Sequence, residues 1–233
     1  MKIKYWHPKK IRKGKGSPSR EYADEFLYEN LGSILTDKEI KILDIGCGSG
    51  YIRKIFHDLG YKIIYTGIDI EKHKDFEQFD KYALNSDFIK QKAEDFETSE
   101  KYNLVFSFFA LEHIENDFLA VSKADKLLEK RGIQIHFVPA LWSLFLYFRH
   151  GYRRYTQIRL KKIFGENFTA YKLGGFFSFF LHIFFITIPE IILKNNKPRQ
   201  SNIYPTLLSI ANKFDHLLPI FSSVYIVICS KQD

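Results

Sequence analysis

An apolar strand that ends in an acid and breaks at once into three closely spaced glycines leaves few folds open. Lys41-Ile42-Leu43-Asp44-Ile45 runs into Gly46-Cys47-Gly48-Ser49-Gly50, and Tyr51 to Leu59 continues as a helix. Glycines at this spacing let the backbone turn sharply and come close to a ligand, as nucleotide-binding turns require. Further short apolar strands follow at Lys62 to Ile68, Asn103 to Phe108 and Ile133 to Val138, with a helix from Asp117 to Leu128. Alternation of this kind predicts an α/β, Rossmann-like, doubly wound and mostly parallel sheet of seven strands with helices on both faces.

The acid selects among ligands. A dinucleotide places its pyrophosphate on such a loop, and Asp44 would set like charge against like. A ligand carrying an ammonium and a sulfonium, S-adenosylmethionine (SAM), suits that carboxylate. Asp69 ends the next strand, about twenty residues on, where an acid accepts hydrogen bonds from both ribose hydroxyls, with Ile70 beside it.

The stretches Ile42 to Gly50, Gly67-Ile68-Asp69, Ala93-Glu94-Asp95-Phe96 and Phe106 to His113 resemble the class I SAM-dependent methyltransferases over about Lys41 to Val138. The resemblance implies a cofactor site of Asp44, Gly46, Cys47, Gly48, Gly50, Asp69, Ile70, Ala93, Glu94 and Phe108. Ala93 and Glu94 would border adenine, and Phe108 to Leu111 the methionine end. Lys92 stands where many members carry Asp, which moves the adenine amino contact toward Glu94. Val138 to Ser143 and His150 to Thr156 look similar to a bacterial subgroup associated with cell-envelope glycans or lipids, implying acceptor contacts at Trp142, Arg153, Arg154 and Tyr155.

Methyl transfer needs alignment, desolvation and, for a hydroxyl acceptor, a base. His113, at a strand end facing the ligand crevice, and His150 are the candidate catalytic residues. His113 also suits a role orienting its loop, and His150 with Arg153, Arg154 and Tyr155 reads equally as a surface ion-pair cluster. Arginine forks match phosphate or carboxylate. His136, inside an apolar strand, reads as a hydrogen-bonded core residue. No histidine pair has metal-ligand spacing, so no metal is expected.

The ends of the chain differ from this centre. Eight Lys and Arg precede the first acid, and the net charge is +8. Residues 1–16 form a basic arm ahead of a domain over 17–233, whose first helix starts at Ser17-Pro18 with Glu21 in its first turn. The arm suits nucleic acid, anionic headgroups or a phosphorylated acceptor, or is simply solvated. Two cysteines, Cys47 and Cys229, give no disulfide framework, and no apolar leader follows Met1. A cytoplasmic location is expected, with peripheral contact at the inner membrane face.

Between strands at Phe168 to Leu173 and Ser223 to Ser230 lies an insertion, about 175–221, that holds many of the 23 phenylalanines. Its apolar run breaks at Pro189, short of a bilayer span. Additional core, acceptor lid, membrane-dipping surface and homodimer face all account for it. The sequence therefore points to SAM-dependent methylation of a glycan, glycolipid or other small envelope molecule, lipid-linked or free. A quinone-ring acceptor is the enzymatic alternative. An RNA-binding or RNA-methylating protein is an alternative that the basic arm and high pI suggest, with base amino-methylation disfavoured because Phe108-Phe109-Ala110-Leu111 stands in place of an Asn-Pro-Pro-Tyr-like segment. A non-catalytic SAM-fold interaction protein is the remaining class.

Overall fold

The computed structural model describes residues 1–12, 14–147 and 151–231, so His150 lies outside the described residues. In chain order the elements are β1 (Lys2–Tyr5), α1 (Pro18–Ile34), β2 (Glu39–Ile45), α2 (Ile52–Asp58), β3 (Lys62–Asp69), β4 (Asn85–Lys90), β5 (Tyr102–Phe108), α3 (Asp117–Leu127), β6 (Leu128–Pro139), α4 (Gln157–Phe164), β7 (Phe168–Leu173), α5 (Phe176–His182), α6 (Lys197–Gln200), α7 (Tyr204–Asp215) and β8 (Val224–Ser230). A π-helical segment, Ile183–Ile192, continues α5 through Pro189.

The strands form one sheet in the order β1-β7-β8-β6-β5-β2-β3-β4. It has eight strands and is mixed, correcting the expectation of seven: β8 runs antiparallel to both β6 and β7, and the other pairs are parallel. The first strand comes from the basic segment, where alternating Lys2-Ile3-Lys4-Tyr5 pairs with Thr169 to Lys172 of β7. Short alternating segments are recognised as strands only by finding a partner, and β7 would otherwise be a bare edge.

Strand residues alternate between two packed faces. Ile42, Phe106 and Phe137 join Tyr22, Phe26, Leu27 and Leu31 of α1, Ile55 and Phe56 of α2, and Tyr204 and Leu208 of α7. Leu43 and Val105 face Ala124 and Leu127 of α3, while Val138, Ala170 and Val227 pack on Leu160 and Ile163 of α4. Helix α1 starts where a Ser-Pro signal requires, with Ser17 Oγ accepting the Arg20 amide. From β2 the chain winds outward through β3 and β4, then returns to β5 on the other side of β2. This reversal opens a crevice beyond the carboxyl ends of β2 and β5.

The insertion folds onto the same face as α1. Ser178 N and Tyr22 Oη both donate to the buried Asp215 carboxylate, tying α5 and α1 to the end of α7. No helix among the described residues is long and apolar enough to cross a membrane.

Candidate active site

The loop after β2 is held by its glycines and by one buried arginine. Gly46, Gly48 and Gly50 all adopt positive φ, between 51° and 66°, a region that L side chains enter at a cost. A Cβ on Gly46 would lie 2.4 Å from Ala110 Cβ, whereas one on Gly48 would meet nothing within 4 Å. The open side of Gly48 is therefore where a ligand can approach. Arg53, fully buried, donates to Gly50 O, Ser49 O and Phe76 O and pairs with Asp80 and Ser86, stapling the loop to the segment after β3.

Asp69 is the polar centre of the crevice. Its two carboxylate oxygens accept the Gly48 amide at 2.9 Å and the Ile70 amide at 2.7 Å, which fixes its orientation and leaves lone pairs for ribose hydroxyls. A cavity of about 500 Å3 surrounds it, lined by Gly46, Ile70, Lys92, Ala93, Glu94 and His113 among others. That volume lies in the range of small-molecule sites.

Asp44 sits beneath the loop, outside this lining, and is 2% exposed. Tyr65 Oη donates to its Oδ2 at 2.6 Å, while Oδ1 has no partner. Burial raises its pKa to about 7, against the lowering effects of Tyr65 and Arg53. Cys47 is buried against Gly67. Phe108 is packed between Tyr51 and Phe137 under the Arg20 guanidinium, and Phe109 lines the cavity instead. Phe109 has φ of 54°, so strand alternation is broken there and the next ring turns outward.

Phe109 also borders a second cavity of about 350 Å3. Its walls include Ser17, Ser19, Arg20, Glu112, Tyr147, Arg154, Arg199 and Ser223. The N-terminal segment forms one wall, because Glu21 accepts the amides of Gly14, Lys15 and Gly16, and Tyr204 Oη donates to Gly16 O. The insertion supports another, since buried His182 bridges Thr187 and Tyr147 Oη and its pKa falls to about 3 through burial. Glu112 is 1% exposed with Oε2 unpartnered. Burial raises its pKa to about 7, partly offset by its own backbone amide and by Arg154.

The remaining predicted residues are dispersed. His113 is exposed on the first cavity. Arg154 lines the second, its guanidinium donating to Arg153 O and Tyr147 O. Arg153 donates to Ile114 O and Glu115 O and lies 3.4 Å from Asp117. Tyr155 is fully buried and donates to Asp117. Trp142 borders a separate surface cavity with Phe221. His136 is buried between Ser107 Oγ and Gln134 Oε1. Glu112, Arg20 and Arg199 were not singled out in the sequence. The only signal for Glu112 was its place one residue before His113, and nothing local marks the arginines.

Fold and crevice are those of a Rossmann-like protein with one ligand-sized cavity at the loop and a second beside it. A family model described as a methyltransferase domain matches residues 36–207, and the chain belongs to that family: it is a SAM-dependent methyltransferase. The ubiquinone biosynthesis O-methyltransferase of Pelagibacter ubique (strain HTCC1062) is 31% identical over 100 residues, which span 41% of this chain and 40% of that protein. Coclaurine N-methyltransferase bound to N-methylheliamine and SAH superposes with TM-score 0.56 at 14% identity, covering 91% of this chain and 73% of that one. The 1,6-didemethyltoxoflavin-N1-methyltransferase of Burkholderia thailandensis, bound to 1,6-didemethyltoxoflavin and S-adenosylhomocysteine, gives TM-score 0.54 at 14% identity, covering 93% and 79%. The cyclase SpnF gives TM-score 0.59 at 13% identity, covering 98% and 87%, so this fold alone does not fix the chemistry.

The residues present fit SAM. Asp69 and Glu94 offer acceptors in the first cavity, and Gly48 has open space where a Cβ would stand. Bound SAM supplies a methyl carbon already activated by a positive sulfur. The chain itself has to hold the cofactor, exclude water and manage the acceptor's proton.

Proposed function

We propose that this enzyme methylates a hydroxyl group on a small acceptor seated in the second cavity, with Glu112 as the proton acceptor. The observation that carries this reading is Glu112, buried with its Oε2 unpartnered, in the lining of a cavity that meets the cofactor crevice at Phe109. A base poised near neutral pH combines a deprotonated fraction with useful proton affinity, and burial places Glu112 at about 7. His113, one of the two bases expected from sequence, borders the cofactor crevice and is assigned a contact there; His150, the other, lies outside the described residues. The O-methyltransferase relative supports a hydroxyl acceptor of quinone-precursor type. The envelope glycan or glycolipid expected from Val138 to Ser143 gains no support from these relatives.

Incubation with methyl-labelled SAM and a panel of hydroxylated small molecules tests the assignment. For an accepted substrate, Glu112→Gln should lower kcat by about 100- to 10,000-fold, the usual contribution of a positioned base, with SAM affinity unchanged. Wild-type kcat should rise with pH through about 7 as Glu112 ionises. An E112Q variant with undiminished kcat and the same pH profile would remove Glu112 from this role.

A further inference from the structure

Resting on that reading, we infer that the acceptor carries an acidic group, a carboxylate or a phosphate ester, held by Arg20, Arg154 and Arg199. These three arginines line one cavity from three distant segments: the first turn of α1, the loop before α4, and α6. Arg20 lies over the rings of Tyr51 and Phe108 at 4.5 and 4.3 Å, which holds its plane without neutralising it. Arg154 is oriented by the carbonyls of Arg153 and Tyr147. Arg199 Nε sits 2.7 Å from Glu190 Oε1, in the insertion.

Glu112 is the one carboxyl residue among the described lining, against three arginines. With Arg199 paired to Glu190 and Arg154 coupled to Glu112, Arg20 leaves the cavity a surplus of positive charge, and forked donors at partly buried positions match planar carboxylate or tetrahedral phosphate oxygens. Burial raises the pKa of the Tyr147 phenol; a hydrogen bond with Ser17 and the charges of Arg199 and Arg20 lower it and Glu190 raises it, so both arginines lie near Tyr147. Phe109, Pro139 and Val224 supply apolar wall between the arginines and the cofactor crevice. An acceptor with an acid at one end, an apolar middle and a hydroxyl at Glu112 satisfies all three parts of this lining.

The test is calorimetric binding to the full chain saturated with S-adenosylhomocysteine. The probes are protocatechuate, its neutral amide, catechol phosphate and inorganic phosphate. At least one of the two acids should bind about tenfold or more tightly than the amide, as a charge-assisted contact requires. Arg20→Gln and Arg199→Gln should each abolish that preference without changing S-adenosylhomocysteine affinity, and Arg199→Lys should restore part of it. Preference for protocatechuate identifies a carboxylate; preference for catechol phosphate, with competition by inorganic phosphate, identifies a phosphate ester. Equal binding of acid and amide, no binding of either acid at millimolar concentration, or an acid preference that survives both Gln variants overturns the inference. Failure of the hydroxyl reading looks different: acids bind through the arginines, yet no hydroxyl compound accepts methyl.

Discussion

The two cavities that meet at Phe109 are built in opposite ways. The cofactor crevice is made from local sequence: the loop after β2, the end of β3, and the segments after β4 and β5. The second cavity draws on distant positions, among them Ser19, Glu112, Tyr147, Arg154, Arg199 and Ser223, which only the tertiary fold brings together. Backbone groups and one oriented carboxylate dominate the first, and charged or hydroxylated side chains the second. Within one fold, the first arrangement preserves a shared cofactor while the second lets the acceptor change.

If that division is right, damage to one region should leave the other working. The largest effect is expected at Arg53, which serves the crevice alone. Arg53→Met strips donors from the carbonyls of Ser49, Gly50 and Phe76 and should cost about 3 kcal/mol or more in urea unfolding, since buried unsatisfied groups cost roughly 1–3 kcal/mol each. A stability unchanged from wild type would mean the loop needs no staple. Next comes Asp69→Ala, expected to weaken SAM about 10- to 100-fold in calorimetry, from charge-assisted hydrogen bonds worth about 1.5–3 kcal/mol, with acceptor KM unaltered.

The reverse pattern is expected from the insertion. His182→Leu removes hydrogen bonds to Tyr147 and Thr187 and should raise acceptor KM several-fold while SAM affinity holds. Its stability loss should be about 1–2 kcal/mol. A drop in SAM affinity instead would show that the cavities are not separable.

The smallest effect concerns pH. Asp44 has an ordinary pKa of 3.8 and a folded value of about 7. Between those values the folded chain keeps a proton that the unfolded chain has lost, so this group's contribution is complete below about 4 and declines as pH rises through about 7. Asp44→Asn, which cannot ionise, should therefore gain stability relative to wild type on going from about pH 4 to about pH 8, by about 1 kcal/mol or more. An unchanged difference across that range would place the Asp44 ionisation elsewhere.

The same contrast explains what could be read from the sequence. β2, β3, β5, β6, β7 and β8 were each legible as apolar runs, and Ser17 with Pro18 marked the start of α1, because these signals lie within a few residues. β4 was missed because Asn85-Ser86-Asp87-Phe88-Ile89-Lys90 is a polar edge strand, and β1 because its four residues lie in a lysine-rich run that reads as solvated. In the crevice, Gly46, Gly48 and Asp69 announced themselves by spacing. Phe109, expected there only within Phe108 to Leu111, takes the place assigned to Phe108, since its positive φ turns its ring toward the cavity. Arg153 and Tyr155 share Asp117 as a partner, a long-range contact no local pattern reveals. His113 and His150 are the base candidates the sequence offers, whereas Glu112 becomes one only through burial, a tertiary property that raises its pKa to about 7.

Crystals of the chain with S-adenosylhomocysteine bear most directly on the central division into cofactor crevice and acceptor cavity. The ribose hydroxyls should lie within hydrogen-bond distance of Asp69, the adenine beside Ala93 and Glu94, and the sulfur next to Phe109, facing the side where Glu112 lies. A nucleoside bound among Arg20, Arg154 and Arg199, or a sulfur directed away from Phe109, would contradict it.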